Sequence, residues 1–302
     1  MQAMILAAGL GTRLKPYSLL RPKPLFPVLN RPLLARIVEQ LRLAGCETMV
    51  VNTHHLGEQI SALLASAPDI ILQPEATILG TGGGLCQARR HFTTDAVLVV
   101  NGDIYHTIDL AWVVAEHRRL AAISPQWSPV SLVLHDCQRF NGVAVDEELR
   151  VLGFAGYSDP LPATARRLAF TGIHVIDPAI LQRIPALSFY NIIDCYRELI
   201  RENIPIGAIL AEGHLWSDIG TPADYLGLHE ELLRGGLSPA DSNDPAILIH
   251  AEARLGQGVG LHHWACVGAN AEVGAGAELT RVVVWDGARV EPGARLKDTI
   301  VV

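Results

Sequence analysis

Residues 3–8 form a short apolar run that stops at Gly9. A run of this length, closed by a turn residue, predicts a strand buried on both faces of a parallel sheet. Residues 33–44 carry apolar positions at helical spacing and end at Gly45, a usual helix stop. Residues 47–52 predict a strand, 56–65 a helix, 70–72 a strand and 83–90 a helix. Residues 96–100 predict a further strand that runs into Asn101-Gly102-Asp103. Strands alternating with helices predict a parallel sheet covered on both faces, with ligands bound beyond the carboxyl ends of its strands. The Gly9 loop, Asn52-Thr53-His54 and Asn101-Gly102-Asp103 all fall at those ends.

The pattern is less regular further on. Residues 130–134, 142–145 and 172–176 read as strands and 190–202 as a helix. Thr221-Pro222 is a strong start signal for a helix reaching about residue 233, with Thr221 as N-cap and Pro222 in the first turn. Residues 234–245 are rich in turn formers and predict a linker. Beyond it the period changes. Ile249, Leu255, Leu261, Val267, Val273 and Leu279 recur every six residues. The phase then slips by one and resumes at Val284, Val290, Leu296 and Val302. A six-residue period belongs to neither helix nor ordinary strand and is the signature of a parallel β-helix of about three coils.

Composition narrows the class. The 302 residues are 49% hydrophobic and 18% charged, enough to build a sizeable core. The five cysteines are odd in number and show no C-x-x-C spacing, which argues against a disulfide framework or zinc site and for a reducing compartment. The N-terminus lacks a basic segment ahead of its apolar run, and no apolar run is long enough to span a bilayer. A cytoplasmic protein without a membrane partner is expected. A net charge of −7 argues against nucleic-acid binding. Within this acidic chain, residues 1–38 contain Arg13, Lys15, Arg21, Lys23, Arg31 and Arg36 and no carboxylate, which marks a candidate anion site.

The glycines of that stretch sharpen the reading. In Leu6-Ala7-Ala8-Gly9-Leu10-Gly11-Thr12-Arg13-Leu14, a glycine-bearing loop follows a strand, so backbone N–H groups can approach phosphate oxygens. Arg13 and Lys23 supply positive charge suited to a triphosphate. The loop is neither G-x-G-x-x-G, because position 14 is Leu14, nor a P-loop.

This loop, with Pro22-Lys23-Pro24-Leu25 after it, resembles the opening of the sugar-1-phosphate nucleotidylyltransferases. The resemblance continues in order through Leu79-Gly80-Thr81-Gly82-Gly83-Gly84, Asn101-Gly102-Asp103, Phe170-Thr171-Gly172-Ile173 and Trp216-Ser217-Asp218-Ile219-Gly220-Thr221-Pro222. It implies an α/β fold. A Rossmann-like nucleotidyltransferase domain with a mixed, mainly parallel sheet would span 1–233, and a linker 234–246. A left-handed parallel β-helix of hexapeptide repeats would span 247–302. It implies an enzyme that converts a nucleoside triphosphate and a sugar 1-phosphate to an NDP-sugar and pyrophosphate.

Carried over by position, the resemblance implies that Leu6, Ala8, Gly9, Gly11, Thr12, Arg13, Lys23, Glu75 and Gly82 bind the nucleotide. Gly83, Asn141, Gly142, Thr171 and Gly172 would bind the sugar. Arg13, Lys23 and Asp103 would be catalytic, and Asp103 and Asp218 would hold Mg²⁺, which takes few protein ligands plus phosphate oxygens. One departure stands out. Many members carry Glu-Lys-Pro after the central strands, whereas Gly153-Phe154-Ala155-Gly156-Tyr157-Ser158 has no lysine; Arg166 and Arg167 are candidates to replace it. Two substrate pairs stay open: UTP with N-acetylmuramic acid 1-phosphate, or GTP with mannose or heptose 1-phosphate. A noncatalytic, NDP-sugar-sensing subunit is the alternative, against which stand the retained Arg13, Lys23 and Asp103. His262 and His263 are read as ordinary polar residues, not as a second catalytic centre. The apolar last repeat is expected to favour a homo-oligomer formed through the β-helix.

Overall fold

The computed structural model describes residues 1–123, 128–159, 161–235 and 246–302. Most of the expected linker, residues 236–245, lies outside the described residues. The chain divides into two compact units, Met1–Leu10 with Ile37–Trp216 and Gly11–Arg36 with Ser217–Val302. The segment that bears Arg13 and Lys23 is thus grouped with the C-terminal strands.

The first unit is built on a nine-stranded mixed sheet. Its seven-strand path runs Val151–Phe154, Asn141–Val145, Arg166–Ile176, Val97–Asn101, Gln2–Leu6, Thr48–Thr53, Ile70–Pro74. The last four of these are parallel to one another. Ala3, Met4, Ile5 and residues 97–100 are all but fully buried, as strands covered on both faces must be. Register aligns the ends: Leu6 is level with Asn52 and with Asn101, and Asn52 with Gln73. The loops that begin at Ala7, His54, Glu75 and Gly102 therefore leave one edge of the sheet together. Arg166–Ile176 runs antiparallel to Val97–Asn101 and to Val130–His135, and Gly207–Leu210 pairs parallel with the latter. The pairing with Val130–His135 slips between Phe170 and His174, so Thr171-Gly172 form a bulge.

Helix α1 (Leu33–Leu43) and helix α2 (Gly57–Leu64) follow the periodicity. Helix α3 (Gly80–Ala88) starts three residues before the expected point. Two of its leading N–H groups, on Gly82 and Gly83, are satisfied by the carbonyl of Tyr190 at 2.8 and 3.2 Å, so the first turn is stable despite four glycines. Helix α4 is Leu110–Ile123, and α5 is Ile192–Arg201, which begins after the Asn191 cap.

In the second unit, helix α6 (Pro222–Arg234) starts as expected. Thr221 accepts the N–H of Asp224, and a proline occupies the first turn. After it come two parallel ladders of short strands. One is Ile247–Ile249, Gly260–Val267, Glu278–Val284, Arg295–Val301; the other is Arg254–Leu255, Glu272–Val273, Arg289–Val290. Leu261 lies level with Leu279 and Leu279 with Leu296, repeats of 18 and then 17 residues. The one-residue slip seen in the sequence is absorbed as a register shift between His262 and Ala265. There His263 takes a left-handed φ of 65°.

Candidate active site

In the first unit the strand ends are braced by side chains. Asn52 accepts the Ala7 N–H (2.7 Å) and donates to Glu75 (2.8 Å). The other Glu75 carboxylate oxygen accepts the Leu79 N–H at 3.0 Å. Glu75 is 5% exposed, so its charge is stabilised by donors rather than water. Gly102 donates its N–H to Leu6, which ties the Asn101-Gly102-Asp103 turn to the start of the glycine loop. Asp103 itself is half-buried.

Three glycines of this edge, Gly83, Gly84 and Gly172, mark close approaches. A Cβ on Gly83 would lie 2.5 Å from the Ser188 carbonyl, and one on Gly84 would lie 2.8 Å from Asn52 and 2.9 Å from Glu75. A Cβ on Gly172, where φ is +78°, would lie 2.6 Å from Asn101 Nδ2. The Thr171-Gly172 bulge therefore packs directly against the Asn101 turn. Thr171 is buried, donating its hydroxyl to Val133 O and accepting Trp216 Nε1–H on its own carbonyl. Asn141 accepts the Cys137 N–H and donates to Asp136, and Gly142 accepts the Ala155 N–H.

Beside Thr171 stands a wall the sequence reading missed. The His135 ring lies 4.7 Å from Trp216 and 5.2 Å from His214, and Phe140 lies 5.4 Å from Trp216. Burial, and secondarily His214, pull the His135 and His106 imidazoles from 6.5 down to about 4. No spacing signal could have found this group, because its members come from separate strands and loops.

The second unit holds the charged cluster. Lys23 Nζ meets Asp218 Oδ1 at 2.9 Å and Arg13 Nη2 meets Asp218 Oδ2 at 3.6 Å. The Lys23 side chain is 7% exposed and that of Arg13 is 64% exposed. Two cations share one carboxylate, which leaves these three groups with net positive charge. Thr12-Arg13-Leu14 form a 3₁₀ turn launched from Gly11, whose φ of 60° is left-handed. A Cβ there would crowd Ser18 at 3.2 Å, whereas Gly9 has open space around it. Gly220 plays an unforeseen part: a side chain on it would lie 3.0 Å from both Arg13 Nη1 and Asp218 Oδ2, so its absence admits the guanidinium.

The expected residues thus fall into two groups. Leu6, Ala8, Gly9, Glu75, Gly82, Gly83, Asp103, Asn141, Gly142, Thr171 and Gly172 belong to the first unit, and Gly11, Thr12, Arg13, Lys23 and Asp218 to the second. Among the described residues, no three His, Cys, Asp or Glu side chains gather as a ready metal cage. Also among them, no helix is long and apolar enough to cross a membrane.

Comparison with known proteins identifies relatives of the whole chain. Residues 2–235 match the family model described as nucleotidyl transferase. The chain is 30% identical over 313 residues to the mannose-1-phosphate guanylyltransferase of Mycobacterium tuberculosis, covering 96% of this chain and 81% of that protein. It is 29% identical over 243 residues to the N-acetylmuramate alpha-1-phosphate uridylyltransferase of Caulobacter vibrioides, covering 76% and 96%. Among solved structures, HddC from Yersinia pseudotuberculosis complexed with GMP-PN superposes with a TM-score of 0.61 at 21% identity, covering 76% of this chain and 99% of that one.

Proposed function

The chain belongs to the nucleotidyl transferase family, among its sugar-1-phosphate nucleotidylyltransferases, and on that premise we propose that this enzyme joins a nucleoside triphosphate to a sugar 1-phosphate. The observation that carries the proposal is the Arg13–Lys23–Asp218 cluster, a buried lysine and a solvent-facing arginine set on a glycine-launched turn. An oxygen of the sugar phosphate attacks the α-phosphorus in line, the bond to the bridging oxygen of the β-phosphate breaks, and pyrophosphate leaves. A phosphate monoester dianion needs no general base, so positioning and charge neutralisation carry the rate.

In this reading Lys23 faces the α-phosphate, where charge grows, and Arg13 steadies the β and γ phosphates. The backbone at Leu6, Ala8, Gly9, Gly11 and Thr12, with Gly82, holds the nucleotide. Glu75 acts on it through Asn52 and the loop that Asn52 pins. Gly83, Asn141, Gly142, Thr171 and Gly172 face the sugar. Asp103 and Asp218 are assigned to Mg²⁺: carboxylate oxygens would suit a hard cation that takes few protein ligands and keeps phosphate and water. When bound, that ion supplies further neutralisation of phosphate charge. Asp218, which pairs with Lys23 and Arg13 here, would be the carboxylate of the second unit that holds the ion.

The relatives name the two substrate pairs to test first, GTP with mannose 1-phosphate and UTP with N-acetylmuramic acid 1-phosphate. The first is favoured by a match that runs through the C-terminal strands. Those strands, in ladders repeating every 17 or 18 residues, are read as a left-handed β-helix. Arg295–Val301 lies at the edge of its ladder, which makes it the candidate for self-association. A monomer by light scattering at micromolar concentration would count against that role. The deciding assay for the activity is Mg²⁺-dependent pyrophosphate release across nucleoside triphosphates and sugar 1-phosphates, heptose 1-phosphate included. Release with one pair fixes base and sugar together. Folded protein that binds nucleotide but releases nothing with any pair would overturn the catalytic reading in favour of a noncatalytic sensor.

A further inference from the structure

The segment between Tyr17 and Asn30 carries Lys23 at its centre and is fastened on both sides to the C-terminal strands. Before Lys23, Arg21 lies 4.6 Å over the Trp285 ring and makes a bidentate pair with Asp286 at 2.7 and 2.9 Å. Tyr17 adds a tilted contact to the same indole at 6.2 Å. After Lys23, Phe26 meets Trp285 edge-on at 4.8 Å and Tyr225 at 5.6 Å. Trp285 Nε1 donates to the Tyr225 hydroxyl at 3.1 Å, and that hydroxyl donates to the Pro27 carbonyl. Further on, Asn30 donates to the Val267 carbonyl at 2.8 Å and accepts from Cys266 Sγ at 3.1 Å.

Trp285 is 3% exposed and touches the chain two residues before Lys23 and three residues after it. A short loop held at both ends by one rigid side chain has little freedom in between. The Lys23 amine, 2.9 Å from Asp218, inherits that restriction. The Arg21 guanidinium also holds the Asp286 carboxyl below its ordinary range, so the outer fastening is charged at neutral pH.

The geometry points to Trp285, assisted by Asp286, as a positioning residue for the transferase reaction: the turn after the Glu278–Val284 strand fixes the phosphate-binding lysine through this indole. This rests on the reading of Lys23 as the group that neutralises the α-phosphate. A contribution of this kind acts on the transition state more than on substrate affinity, and it appears in the accessibility of Lys23 even without substrate.

The test uses full-length Trp285→Ala, Trp285→Phe, Asp286→Asn and Lys23→Ala, each confirmed folded by circular dichroism and melting. If Trp285→Ala does not fold, Trp285→Leu takes its place, keeping apolar bulk without an aromatic face. Two readouts are taken. One is kcat and KM for the substrate pair the wild type turns over. The other is the rate at which an N-hydroxysuccinimide acetyl ester modifies Lys23, read by peptide mass spectrometry with the exposed Lys15 as internal standard.

Trp285→Ala is expected to lower kcat by roughly tenfold, to move either KM by less than about threefold, and to raise Lys23 acetylation several-fold. Trp285→Phe should recover most of both, and Asp286→Asn should shift both in the same direction by a smaller factor. A folded Trp285→Ala or Trp285→Leu protein whose kcat and Lys23 acetylation stay within about twofold of wild type would overturn the inference. Near-normal turnover by Lys23→Ala would instead overturn the catalytic reading, leaving the acetylation rates to decide whether Trp285 positions the lysine.

Discussion

The two units use the same kind of residue in opposite ways. In the first, the polar side chains at the strand ends are committed to the backbone: Asn52 and Glu75 hold Ala7 and Leu79, and Thr171 holds Val133. In the second, Lys23, Arg13 and Asp218 are committed to each other. A neutral or paired group bonded to backbone fixes shape, and substituting it should appear first in stability. On the proposed role of Lys23 and Arg13 at the phosphates, substituting either should appear first in turnover.

The largest expected effect tests the second half of that contrast. Lys23→Ala should lower kcat by about 10² to 10³-fold with little change in melting, since Asp218 keeps Arg13. Equal losses of turnover and stability would mean the lysine is structural. The matching test in the first unit is Glu75→Gln. An amide there must turn an N–H₂ group toward either Asn52 Nδ2 or the Leu79 N–H, leaving a buried donor unsatisfied at a cost of about 2 kcal/mol. Denaturant unfolding should show that loss. A stable variant with impaired nucleotide binding would instead make Glu75 a direct contact.

Acid should affect both units. His174 in the first unit is buried with neither ring nitrogen hydrogen-bonded, and burial pulls it from 6.5 down to about 3. His229 in the second accepts the Leu29 N–H and is paired with the Tyr225 carbonyl, and burial takes it to about 4. Both folded values are depressed, so the unfolded chain binds protons first as pH falls below 6.5. Their contribution is complete above that pH and is lost progressively toward about 4 for His229 and about 3 for His174, at about 2 kcal/mol per histidine by pH 5. His174→Phe should therefore flatten the stability profile between pH 7 and 5 without losing a hydrogen bond. His229→Phe should destabilise at every pH. A variant whose profile between pH 7 and 5 stays as steep as that of wild type would contradict the assignment of that histidine. The smallest effect belongs to Thr221→Ala, which removes the α6 cap and should cost about 1 kcal/mol of stability.

How much could be read in advance follows from the range of the interactions. The parallel strands and their loop ends were legible because a continuous apolar run is itself the cause of a doubly buried strand: residues 3–8 and 96–100 announced the Gln2–Leu6 and Val97–Asn101 strands. The six-residue period announced the C-terminal ladders, and even its one-residue slip reappears as the shift at His262. The start of α3 was misplaced because Gly80 to Gly84 are poor helix formers alone. Their first turn depends on the Tyr190 carbonyl, more than a hundred residues away.

By itself the sequence determined the strand ends, the repeat, the glycine loop and the charges that name the family, since each depends on neighbours a few positions apart. Tertiary structure alone decided that Lys23 closes on Asp218 across 195 residues, that Gly220 must lack a side chain to admit Arg13, and that Trp285 clasps the segment around Lys23. Contacts of that separation are fixed by packing, which lays distant segments against each other and leaves no periodic trace along the chain.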